Sequence, residues 1–122
     1  MESIITFINE KLKVSSNTKI NNSIDNIKEV KRGEIIKYVL NKNKHNSIAI
    51  FNEYSPNNSS IGFLANYNYD TKEFNIQVYT WTDNISKLEY ASKEEINELM
   101  DIIDDNGYKY INEKNKRKLV KK

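Results

Sequence analysis

The stretch Ser92-Lys-Glu-Glu95-Ile-Asn-Glu-Leu-Met-Asp-Ile-Ile-Asp-Asp-Asn-Gly107 constrains this chain more than any other part of it. Ser92 and Glu95 form a Ser-x-x-Glu capping box, in which each side chain satisfies a backbone amide that the first helical turn leaves without a partner. Ile96, Leu99, Met100 and Ile103 recur at i, i+3, i+4 and i+7, which places them on one face of a helix. Gly107 ends the helix by taking positive φ at low steric cost. An amphipathic helix must bury its apolar face against another element, so the rest of the chain must supply a sheet or further helices.

The chain has 122 residues and 38% apolar content, enough for one modest core and too short for two. Charged residues are 30% of the total and the formal net charge is +2, so no global field demands a nucleic-acid or membrane partner. Cysteine is absent, which excludes disulfides, thiolate catalysis and cysteine metal sites and suits a reducing cytosol. Met1-Glu2-Ser3 carries no basic leader, and Thr6, Asn9 and Glu10 interrupt the first apolar run. This predicts a mature soluble chain with neither signal peptide nor membrane span. Asparagine makes up roughly one residue in six, as expected of an AT-rich coding sequence.

Ile4, Ile5, Ile8 and Leu12 predict an N-terminal helix over residues 1–13. Residues 14–28 are polar and turn-rich, anchored only by Ile20 and Ile24, and read as a flexible connection to a unit spanning 29–120. Glu34–Leu40 suits helix or strand by propensity. Its β-branched and aromatic content after Gly33 favours a strand, one whose edge is available for a dimer. Ser47–Tyr54 reads as a second strand, and Ser55–Ser60, around the single proline, as a loop. Ile61–Tyr69 and Phe74–Thr82 form a hairpin around Asp70–Glu73. That loop pairs Tyr69 with Phe74, Tyr67 with Ile76, Ala65 with Val78, Phe63 with Thr80 and Gly62 with Trp81, and leaves one face consistently apolar. Tyr108–Ile111 and Lys118–Val120 read as two short closing strands. The expectation is one small α+β domain, residues 1–122: an antiparallel sheet of four to six strands with an N-terminal helix and a C-terminal capped helix.

Val30-Lys-Arg-Gly-Glu34-Ile35, Tyr90-Ala-Ser-Lys-Glu-Glu-Ile96 and Asn106-Gly-Tyr-Lys-Tyr110, with Leu119-Val120, resemble small proteins of phages, mobile elements and gut bacteria. Those proteins pair a β-meander with a C-terminal Ala-Ser/Thr-x-Glu-Glu helix and a Gly-Tyr/Lys-x-Tyr/Trp turn. The resemblance covers roughly residues 28–120. It implies an accessory protein of a mobile element, working in a bacterial host cytoplasm, and transfers no functional residue.

Catalysis finds little support in the residues. His45, the only histidine, lies in the polar turn Asn41–Asn46, where nothing orients it. No glycine-rich phosphate loop or calcium-loop spacing occurs, so neither cofactor nor metal is expected. Three surface signals remain. Glu94, Glu98, Asp101 and Asp105 share the polar face of the capped helix, either simply solvated or set to meet a basic groove. Tyr79 and Trp81 fall on one face of the hairpin, exposed as a binding platform or covered by a curled sheet. Lys114, Lys116, Arg117, Lys118, Lys121 and Lys122 give the last ten residues a net +5 against Glu113. They suit phosphate contacts or an ordinary solubilising tail.

Two functions follow from these signals. The first is a non-catalytic inhibitor, anti-CRISPR-like, docking through the acidic face with Tyr79 and Trp81 on a host protein or ribonucleoprotein that has a basic groove. The second is direct DNA or RNA binding through the basic tail, Lys42, Lys44 and the Tyr79/Trp81 surface.

Overall fold

The computed structural model describes residues 23–40, 46–113 and 116–122. The expected helix over 1–13, most of the connection over 14–28, His45, Lys42, Lys44 and Lys114 lie outside or partly outside these residues. The strands are β1 (Ile35–Leu40), β2 (Asn46–Ser55), β3 (Ser60–Asn68), β4 (Glu73–Trp81) and β5 (Ile85–Tyr90). The helix α1 (Lys93–Asp105) and the strands β6 (Tyr108–Glu113) and β7 (Lys116–Lys121) follow. The first five strands form one antiparallel sheet in the order β4-β3-β2-β1-β5. The last two form a separate hairpin sheet rather than extending it. Among the described residues the α-helix is C-terminal to the main sheet, and no helix is long and apolar enough to cross a membrane.

The link between β4 and β5 shapes this sheet. The two strands occupy opposite edges, yet only Thr82–Asn84, a single 3-10 turn, joins them. Laid flat, four strand spacings would part them by about 19 Å, and the length of β2 adds a further offset along the strands. Four Cα steps from Trp81 to Ile85 reach about 14 Å at most. The sheet therefore rolls. Ile61, Thr82, Ile85 and Leu88 consequently line one cavity although β3 and β5 are not neighbours in the ladder.

Rolling creates an inside and an outside, and each has its own core, which corrects the expectation that so short a chain holds only one. Inside, Ile36, Tyr38, Ala49, Phe51, Ile61 and Phe63 pack with Ile24 and Val30 from the incoming chain. Tyr38 stacks on Phe63 with ring centroids 5.1 Å apart, and its hydroxyl donates to Asn66 Oδ1. Outside, Ile35, Ile48, Ile50 and Ala65 pack with Leu99 and Ile103 of α1, flanked by Ile96, Met100, Tyr108, Tyr110 and Leu119. The capping box is formed as expected: Glu95 N donates to Ser92 Oγ at 3.2 Å and Ser92 N to Glu95 Oε1 at 2.8 Å.

Three further expectations are corrected. The β3–β4 loop is Tyr69–Lys72, with Asn68 opposite Glu73, so every cross-strand pair moves by two residues. Tyr67 meets Phe74, Gly62 meets Tyr79, and Ser60 rather than Gly62 faces Trp81. The loop settles there because Asn68 Oδ1 accepts from the amides of Asp70 and Thr71, and Lys72 takes the left-handed φ of 62°. Second, the hairpin does not keep its apolar residues on one face. A register shift beside Phe51 and the left-handed Gln77 (φ 50°) interrupt the alternation at Leu64. Phe63 thus enters the inner core and Ala65 the outer one. Third, β1 lies between β2 and β5 and offers no free edge for a dimer. Within 23–28, Ile24 is buried and donates its amide to Leu88 O at 3.0 Å.

Gly33 and Gly107 both have positive φ, 91° and 86°, but their surroundings differ. A Cβ on Gly33 would press into Arg117 Cδ and the Tyr110 hydroxyl, whereas one on Gly107 meets nothing. Gly107→Ala should therefore cost about 1 kcal/mol, from the left-handed conformation alone. Gly33→Ala should cost about 2 kcal/mol or more and lower Tm by about 8 °C, because it also unseats the β6–β7 hairpin. Thermal unfolding followed by circular dichroism compares the two. Equal losses would contradict this account of Gly33.

Candidate functional site

The acidic face is present as expected. Leu99 and Ile103 hold α1 on the sheet, and Glu94, Glu98, Asp101 and Asp105 lie exposed on the other side of the helix. Glu98 accepts a hydrogen bond from the Tyr69 hydroxyl at 3.2 Å, which ties the face to the β3–β4 turn. Burial pushes the Tyr69 hydroxyl up to about 12, with the Glu98 charge adding to the effect. Tyr69 thus stays a neutral donor at any ordinary pH.

An ion-pair knot fixes the start of the same helix. Lys37 Nζ on β1 lies 2.7 Å from Glu95 Oε2 and 3.4 Å from Glu89 Oε1, and Lys87 Nζ lies 3.2 Å from Glu89 Oε2. A cleft of about 330 Å³ opens beside the knot, but the charges on its wall are engaged with one another. The hydrogen bond to Glu95 raises the Lys37 pKa despite partial burial. Partial burial alone would push Glu95 up; the Lys37 and Ser92 hydrogen bonds outweigh it and bring the carboxyl below its ordinary range. Glu89 behaves likewise, drawn down by Lys87 and Lys37. Among the described residues, no group of three His, Asp or Glu side chains gathers to hold a metal ion.

Tyr79 and Trp81 are exposed, at 70% and 51%, with ring centroids 6.2 Å apart and planes at 81°. The sheet does curl, but it curls away from them, and among the described residues nothing covers their end of the outer face. They do not join the acidic face of α1. Glu98 meets Tyr69 at one end of β3, whereas Tyr79 pairs with Gly62 seven residues along it, about 23 Å away at a strand's rise per residue. The six residues expected to form one protein-binding surface therefore form two.

The second surface has a shape that sequence reasoning missed. Two cross-strand rows run side by side on the outer face, Glu53-Gly62-Tyr79 and Ser55-Ser60-Trp81. The middle position of each row is small, so a trough of about 250 Å³ lies between a polar wall on β2 and an aromatic wall on β4. Glu53 leans over the floor: a Cβ on Gly62 would lie 3.5 Å from its Cγ. The signal available in the sequence was the pair of small residues Ser60 and Gly62 two apart in a strand. It became readable only once the register was known.

The basic C-terminus is β7, not a frayed tail. Arg117 lies across Gly33 and donates from Nε to Asn112 Oδ1 at 2.9 Å, and Lys122 pairs with Asp104. Tyr110, on β6, donates its hydroxyl to Gly33 O at 3.2 Å. Two of the expected phosphate-contacting cations thus take part in the fold, while Lys116, Lys118 and Lys121 are exposed on a strand.

Compared with known proteins, the chain matches no family model, no curated protein and no solved structure.

The knot predicts a pH dependence. Depressed carboxyl values contribute stability above the unfolded value of 4.5, and that stability is lost as pH falls through the folded values. Tm should fall on acidification below about pH 4.5, and Lys37→Met should lower Tm at neutral pH while flattening that acid limb. Parallel Tm–pH curves for the two proteins would show that the knot does not set the acid sensitivity.

Proposed function

We propose that the protein is a non-catalytic binding protein that docks on a host nucleic-acid-handling complex through the acidic face of α1. One observation carries this reading: four carboxylates stand exposed on a helix whose opposite face is locked to the core and whose first turn is pinned by a capping box and Lys37. A rigid display matters because ordering the site then adds little entropic penalty on binding. Opposed to an arginine- and lysine-lined groove, the face would speed encounter and occupy a path otherwise taken by phosphates. The protein would then act as an inhibitor in the manner of anti-CRISPR proteins, encoded by a phage or mobile element and working in the bacterial cytoplasm. The resemblance of the capped helix and its turn to small phage and mobile-element proteins supports that setting.

Direct DNA or RNA binding is the competing reading, through β7 and the aromatic pair. Arg117 and Lys122 are occupied within the fold, which leaves fewer cations for it than the sequence suggests.

The test is competition. The protein added to a reconstituted RNA-guided surveillance complex should reduce its binding to target DNA. Reversing Glu98→Lys and Asp101→Lys together should weaken that effect by about tenfold or more. Oligonucleotides alone, titrated with the protein from about 50 to 200 mM salt, should show no steep salt-dependent binding. Inhibition that survives the double reversal, or tight oligonucleotide binding by the protein itself, would sink the docking reading.

A further inference from the structure

The trough on the outer face calls for a ligand of its own, separate from anything α1 does. Its floor is backbone and small side chains, Gly62 and Ser60, held within a sheet and therefore unable to collapse onto the aromatic wall. Two strand spacings separate β2 from β4, about 10 Å backbone to backbone, which leaves room for a planar group between the walls. One wall presents the faces and edges of Tyr79 and Trp81 at a near right angle. The other presents the Glu53 carboxylate, with the Ser55 hydroxyl and the Asn58 amide at the rim.

We infer that this trough seats a guanidinium: an arginine side chain from a basic segment of a protein partner. A cation over an aromatic ring is drawn by the ring quadrupole, and two rings meeting at an angle enclose it on two sides. Glu53 supplies the counter-charge across a gap that a planar fork can bridge. Arginine suits this better than lysine because its flat head stacks on a ring while its N–H groups address a carboxylate.

The lining also decides against nucleic acid at this spot. Among the described residues that line the trough, the one ionisable group besides tyrosine is an acid, and none is a cation. A base stacked on Trp81 would bring its phosphate close to the Glu53 carboxylate, which repels it. An apolar peptide is no better served, since serine, asparagine and glutamate make up the second wall. The trough and the α1 face ask for a partner of the same sign of charge but are assigned independently, on different residues.

Trp81 is the only tryptophan in the chain and reports on the site directly. Its fluorescence would be followed at about 150 mM salt while a short glycine–arginine peptide is added, then a glycine–lysine peptide of equal length, then oligothymidine. The arginine peptide should give a saturable change and bind more tightly than the lysine peptide. Tyr79→Ala should weaken it about two- to fivefold. Glu53→Gln, which keeps size and polarity, should weaken it about tenfold. The Glu98→Lys/Asp101→Lys protein should bind the peptide as the parent does, because at that salt the separation of about 23 Å between α1 and the trough exceeds two Debye lengths. Three results would overturn the inference: no saturable change with the arginine peptide, unchanged binding by Glu53→Gln, or a response to oligothymidine in its place. Peptide binding lost only on α1 reversal would move the arginine site to the helix and vacate the trough. Both Tyr79 and Glu53 are exposed, so their replacement leaves the core intact.

Discussion

Everything in this architecture follows from the shortness of Thr82–Asn84. A three-residue turn cannot carry the chain between opposite edges of a flat five-stranded sheet, so the sheet must roll until those edges approach. Rolling converts one sheet face into an interior lined by Tyr38, Phe51, Phe63 and their neighbours. It turns the other face outward, where it needs a cover. The capped helix and the closing hairpin supply that cover, and Lys37 with Glu95 ties the cover to β1. Two cores of modest size replace the single layer that a flat sheet would have buried.

The cover is shorter than the face beneath it, and the candidate sites follow from that mismatch. α1 and the β6–β7 hairpin protect the part of the outer face around Ile48, Ile50 and Ala65. Among the described residues, nothing covers the remainder, where β2, β3 and β4 carry Glu53, Gly62 and Tyr79. The helix that protects one end displays its own carboxylates outward. The molecule thus presents two exposed surfaces on a common scaffold, one on a helix and one on bare sheet, each held in place for a different reason.

The parts of the fold legible in the sequence are those decided locally. The capping box, the apolar stripe and Gly107 each act through contacts with residues a turn or less away, and the structure has the helix where they place it. The β3–β4 hairpin was legible as a hairpin, but its register was not. The Asn68 side chain gathers two loop amides and starts the turn one residue early, and an antiparallel ladder doubles that single step. The bulge at Leu64 and Gln77 was invisible to a period-two reading because nothing in the composition marks where alternation breaks. Of the candidate sites, the exposed acids were readable from helical spacing. Glu53 was not, since it joins Tyr79 only through a cross-strand row spanning three strands. The cationic C-terminus carried a clear charge signal but hid the seating of Arg117 against Gly33, a contact between residues more than eighty positions apart.

A rolled sheet that stops short of closure leaves a seam, and the two lips of this seam are treated differently. On the β5 side, Ser23 bridges Glu89 and Ile24 bonds to Leu88, so the incoming chain occupies the backbone groups there. On the β4 side, Gln77 breaks the run of extended residues in the middle of the strand. A straight, unpaired strand is a template on which further copies can stack, and a kinked one is a poor template. The left-handed glutamine is unfavourable for the single molecule by roughly 1 kcal/mol. Its return is collective: among the described residues, the β4 lip of the seam is not a straight template on which a second copy could stack.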